Sequence, residues 1–210
     1  MSGSVATPHP THQASHKDYE GAKFGMWLFL FTEILLFGGL FILYSAYRAR
    51  YPLEFHEGGQ HLNVVIGIAN TLILLTSSLS VAVSITAIQK GERKLSILCL
   101  GATIVLGILF LINKYIEWSG EISHGLYPNS PIMLQRPKGD QIFFGLYYSM
   151  TGLHGLHVLA GITLLSIMLV LVVRGRISSS DFNKLENAGL YWHLVDVIWI
   201  FLLPLFYLAA

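Results

Sequence analysis

The stretch MTGLHGLHVLAG, Met150–Gly161, sets two histidines, His154 and His157, one helical turn apart inside an otherwise apolar run. Residues three apart on a helix lie close to one face, so the pattern predicts that both imidazoles point the same way. In a run that spans a bilayer they are then buried at membrane depth. Ionisable side chains are costly there; they face the protein interior and mark either a pathway or a packed polar network. The groups that meet these two rings decide between those readings.

The composition supplies the bilayer. Of the 210 residues, 53% are hydrophobic and 12% charged, against about 25% charged in an average soluble domain. With a mean hydropathy of +0.59 the chain reads as an integral membrane protein. Its net charge of +1 leaves no electrostatic footprint for nucleic acid. The single cysteine, Cys99, cannot build a disulfide framework or a thiolate metal site by itself. No phosphate-binding, dinucleotide-binding or HExxH pattern occurs.

Five apolar runs are each long enough to cross roughly 30 Å of hydrocarbon at about 1.5 Å per residue. They cover about Phe24–Ala46, Asn63–Ile88, Leu95–Trp118, Ile142–Val173 and Leu190–Leu208. The fourth is too long for an upright span and should tilt or project past the bilayer. Pro204, near the end of the fifth, is tolerated where neighbouring helices satisfy the freed carbonyl. The fold class is all-α: one membrane bundle of five transmembrane helices over residues 23–210, preceded by a polar tail over 1–22. The tail carries His9, His12 and His16, and with His61 these raise metal capture. Its loose spacing favours a solvated arm instead. Lysine and arginine set the orientation. Eight lie with the tail and the second and fourth connections (Lys17, Lys23, Lys90, Arg93, Lys94, Arg174, Arg176, Lys184), against four on the other side (Arg48, Arg50, Arg136, Lys138). The N-terminus is then cytoplasmic and the C-terminus periplasmic. The connection Ser119–Asp140, rich in proline and glycine, reads as a long, well-packed outer loop that touches a partner subunit. No internal repeat supports an inverted-repeat transporter.

Polar residues at membrane depth are the candidates for function. Glu33 shares a stripe with Met26, Phe37, Leu40 and Tyr44, and two readings compete for it. One is a protonated acid bonded to a neighbour; the other is a proton-exchanging, carbodiimide-reactive carboxyl. On the second run Gly67, Asn70, Ser77 and Ser84 form the kind of small-residue stripe used in close helix contacts. Lys114 and Glu117, three apart on the third run, can pair with each other. Glu117 lies on the outer half, where His154 should also sit. The fifth run opens with YWHLVDVIW, Tyr191–Trp199, which puts His193 and Asp196 on one face and Trp199 between helices. A di-metal site would draw on HxxH, HxxD and the two glutamates, but their depths disagree and the ExxH pairing of helical carboxylate sites is missing. A haem site is weaker still, since no two histidines oppose each other at equal depth.

Three of these segments, GMWLFLFTEILLFGGLF, TGLHGLHVLAG and YWHLVDVIWIFL, resemble in order the patterns of the haem-copper oxidase subunit III family; NTLILLTSS and NKYIEW fit more loosely. The resemblance covers nearly all of Phe24–Ala210. It implies a short five-helix bacterial form, as in caa3-type and quinol oxidases, without the two extra N-terminal helices that wall a lipid-filled cleft in longer members. It implies that the chain holds no haem or copper, that these reside in partner subunits, and that phospholipid binds. Subunit I is then a direct partner, with subunit II and small subunits in the complex and cytochrome c reached only through other chains. Residue by residue, Glu33 matches the buried carboxyl associated with carbodiimide labelling. Glu117, His154, His157, His193 and Asp196 match buried polar contacts, with Asn70 a weaker match, while Lys114 lies outside the family's pattern. The resulting expectation is a non-redox accessory subunit III of a proton-pumping terminal oxidase, most closely a caa3-type cytochrome c oxidase of the bacterial plasma membrane. It stabilises subunit I and supports proton uptake and lipid or oxygen access. The alternatives are subunit III of a quinol oxidase or of a nitric-oxide-reductase-associated homologue. Outside the family stand an autonomous proton channel or transporter and a membrane metalloenzyme.

Overall fold

A computed structural model describes residues 19–179 and 181–208. Six α-helices follow one another: α1 (Tyr19–Arg50), α2 (Pro52–Gln60), α3 (Val64–Gln89), α4 (Arg93–Ser123), α5 (Lys138–Val173) and α6 (Asn183–Leu203). All but α2 are long and apolar enough to cross a membrane. The five expected spans are therefore present; α3 matches its apolar run to within one residue at each end, and the others extend several residues beyond theirs at one end or both. α1 starts at Tyr19, inside the stretch assigned to the tail; His9, His12 and His16 lie outside the described residues.

The helix ends follow from local chemistry. Asn63 caps α3, its Oδ1 accepting from the amides of Val65 and Ile66 at 3.0 and 3.3 Å. Gly91 ends that helix at φ +80°, a conformation that side chains strain to reach, and lets the Glu92 amide bond back to Ala87. Gly175 does the same for α5, returning the Arg176 amide to Leu171. Arg93, at the start of α4, then donates to the last carbonyls of α5, at 2.9 Å to Val172 and also to Val173.

α3, α4, α5 and α6 form a closed ring of antiparallel neighbours, and α1 lies outside it against α5 and α6. α3 and α4 pack most extensively, along the small-residue stripe read from the sequence: Asn70, Ser77 and Ser84 are fully buried. Ser84 Oγ lies 2.9 Å from Ser96 Oγ, and Thr103 donates to the Ser77 carbonyl at 3.3 Å. Trp192 is the keystone of the ring. Its indole fills a slot left by Gly107 and Gly161, where a Cβ would sit 2.8 and 2.7 Å from the ring, and its Nε1 donates to Ser77 Oγ at 3.0 Å. Trp199 is buried between helices as expected and donates to Thr71 Oγ1 at 3.0 Å.

Three features differ from the sequence reading. α2 was not anticipated; it starts with Pro52 and lies on the first turns of α5, so close that a Cβ on Gly58 would meet Phe143 at 2.5 Å. α5 is 36 residues long, and α2 packs against its first turns. The connection between α4 and α5 is shorter than Ser119–Asp140, because α4 runs on to Ser123 and α5 begins at Lys138, with a 3-10 turn at Met133–Gln135. At Pro204 the last helix widens into a π-turn, Pro204–Leu208. Proline cannot donate to the preceding turn, and the Tyr44 hydroxyl from α1 satisfies the Leu205 carbonyl in this segment.

Candidate functional site

The two histidines of the opening stretch diverge. Three residues advance a helix by about 300°, leaving about 60° between side chains, and on α5 that is enough to place them in different seams. His154 turns inward and is fully buried against Phe110 and Trp199, with ring centroids at 5.5 and 5.3 Å. Neither of its nitrogens has a hydrogen-bond partner among the described residues. His157 turns toward α1, where its Nε2 lies 2.8 Å from Glu33 Oε2 and its ring meets Phe37 edge-on at 5.3 Å. The expectation of two imidazoles aimed one way is corrected accordingly.

The Glu33–His157 pair has a defined proton count. His157 Nδ1 is 2.8 Å from the Leu153 carbonyl, which only accepts, so Nδ1 carries a hydrogen and donates. One further proton then lies between Nε2 and Oε2. It makes either imidazolium with carboxylate or imidazole with carboxylic acid, and both forms are neutral overall. A pair that is neutral overall suits a seam at membrane depth, where net charge is expensive. The pair's side chains keep 16% and 14% exposure, so the site is thinly covered rather than sealed. The Tyr191 hydroxyl donates to the His157 carbonyl at 3.2 Å, tying the turn to α6.

A second cluster closes the other half of the bundle. Lys114 Nζ donates to Glu117 Oε2 at 3.1 Å, to the Tyr147 hydroxyl at 3.1 Å and to the Tyr207 hydroxyl at 2.9 Å. Glu117 Oε1 accepts from Tyr147 at 2.7 Å and also from Tyr207. The rings of Tyr147, Trp199 and Tyr207 stand 5.0 to 5.6 Å from the ammonium, within cation–π range. Lys114 and Glu117 thus pair as their spacing allows, and every strong polar atom of both is engaged.

The third group lies between α3 and α6. His193 Nδ1 is 2.6 Å from Ser78 Oγ. Asp196 is buried with neither carboxyl oxygen in hydrogen-bond geometry; its polar neighbour is again Ser78. Asn70 accepts from Asn113 Nδ2 at 2.9 Å on the α3–α4 seam. The sequence reading missed Ser78, Asn113, Tyr147 and Tyr207 because each gains its meaning only from a partner 30 or more positions away. Among the described residues no three His, Cys, Asp or Glu side chains gather so as to hold a metal ion.

Together these features define a class: a multi-pass membrane bundle whose ionisable side chains are paired chiefly with one another. The comparisons with known proteins agree and go further. The family model for cytochrome c oxidase subunit III matches residues 6–210. Similar chains include the cytochrome c oxidase subunit 3 of Synechocystis sp., 34% identical over 98% of this chain and 82% of its own length. That of Prototheca wickerhamii is 32% identical over 94% and 73%, and that of Sus scrofa 31% identical over 91% and 72%. The chain belongs to the cytochrome c oxidase subunit III family. It is accordingly a non-catalytic accessory subunit of a terminal oxidase, embedded in the membrane by five helices.

Proposed function

We propose that this chain is the colourless subunit III of a proton-pumping, caa3-type cytochrome c oxidase in a bacterial plasma membrane, with residue 1 on the cytoplasmic side. Residues 23–210 form its working domain and residues 1–22 a polar arm. It binds subunit I directly within a complex that includes subunit II, steadies that catalytic chain through repeated turnover, and supports proton supply and the passage of lipid or oxygen. Haem and copper belong to the partners, and phospholipid fills the surrounding seams. Glu33 and His157 are the functional pair, while Glu117, His154, His193, Asp196, Asn70 and Lys114 are structural polar contacts. The observation that carries this reading is the 2.8 Å contact between Glu33 Oε2 and His157 Nε2 at a thinly covered membrane seam. A proton that moves between the two members of such a pair builds no net charge in the bilayer.

Glu33→Gln tests the proposal in the intact oxidase. Haem spectra and initial turnover should match the parent, while activity during sustained turnover declines faster. Loss of all haem from the variant complex, or sustained turnover identical to the parent, overturns the role given to the pair. An autonomous proton channel has little support, because His154, bonded at neither nitrogen and packed between aromatic rings, interrupts the polar groups that would have to connect.

A further inference from the structure

Hydroxyl groups on the bundle's rim are arranged to meet lipid. Thr32 donates to Phe29, and Ser45, Thr76, Thr86, Thr163 and Ser166 each donate to the carbonyl four residues earlier on their own helix. Each satisfies itself and asks nothing of its surroundings. His193 is the contrast. It lies ten residues into α6, roughly 15 Å along the helix. Its ring is only half-buried; Nδ1 is held by Ser78, and Nε2 has no partner among the described residues. An imidazole nitrogen facing hydrocarbon at that depth is the arrangement bilayers penalise.

The surface around it is shaped for a helix. One step around α6, an apolar groove of about 290 Å³ runs between α1 and α6, lined by Ile34, Phe37, Gly38, Phe41, Val197 and Phe201. A Cβ built on Gly38 would meet nothing within 4 Å, so the backbone there is open to close approach. On the other side of His193, Leu75 and Leu79 of α3 are exposed. We infer that a transmembrane helix of the haem-bearing partner subunit packs along α6 between α1 and α3, fills this groove, and presents a hydrogen-bonding side chain to His193 Nε2. The inference rests on the accessory-subunit reading above and adds the face on which the partner sits.

Photo-crosslinking in the intact membrane complex tests it. A benzophenone side chain is placed at Ile200 or Leu79, flanking His193, or at Val105 on α4 across the ring, all three exposed. The first two should capture the haem-bearing chain and the third should not. Capture of lipid alone or of a second copy from Ile200 and Leu79, or of the haem-bearing chain from Val105 only, overturns the inference and leaves the accessory role standing. Failure of the unmodified chain to copurify with any haem protein overturns both. As a second measurement, His193→Leu should lower retention of this subunit in detergent-purified oxidase roughly fivefold, the effect of one interhelical hydrogen bond, and His193→Gln should restore most of it. Equal retention of all three forms counts against a bond at Nε2.

Discussion

Two acid–base pairs lie in this bundle, and they are built on opposite principles. Lys114–Glu117 is enclosed by α4, α5 and the final π-turn, with two tyrosine hydroxyls and three aromatic rings around it. Glu33–His157 bridges only α1 and α5, with an edge left open. Saturating a buried charge pair with donors fixes geometry, whereas leaving one seam thin keeps a proton accessible. On the reading proposed above, the first pair holds shape and the second exchanges a proton.

The sharpest way to break that contrast is to orphan one charge of the enclosed pair. Glu117→Leu leaves the Lys114 ammonium unpaired and should cost about 3–5 kcal/mol, read as loss of the subunit from membranes or a collapse in the melting of the complex. Adding Lys114→Met should recover most of that loss. If the double variant is as unstable as the single, the pair is not the source of the cost. Next in size, Gly161→Ala pushes a methyl to 2.7 Å from the Trp192 ring and should cost about 1–3 kcal/mol in the same melting measurement. Tyr207→Phe removes one donor from Glu117 while Tyr147 and Lys114 remain, so about 1 kcal/mol is expected. The smallest structural effect belongs to the open pair. Glu33→Gln should change stability by under about 1 kcal/mol, since a neutral amide can still bond His157 Nε2, yet carbodiimide modification at this position should disappear. A large melting shift for Glu33→Gln would erase the distinction between the two pairs.

Much of the architecture was legible in the chain because hydrocarbon imposes a length and a polarity on each span. The stripe Asn70, Ser77, Ser84 was readable for a related reason, since close packing in lipid selects small residues at helical spacing. α2 was not, because PLEFHEGGQ is nine residues whose buried stripe, Phe55, Gly58 and Gly59, is mostly glycine, and its local signals are only Pro52 and Glu54 in the first turn. Site residues were legible as types and not as partners. That Glu33 meets His157 depends on α1 docking in the α5–α6 seam, 124 positions apart in sequence. The divergence of His154 from His157 depends on where neighbouring helices stand, which helical spacing alone does not fix.

Tyr44 anchors α1 to residues 204–208: its hydroxyl meets Leu205, and its ring stands 5.1 Å from Phe206. A ribosome delivers that anchor point only after the other four spanning helices have been made. α1 can meet α2 and α5 as they are made, but its hold on residues 204–208 closes only when the last helix is complete, so the seat of the earliest helix described here is finished by the latest.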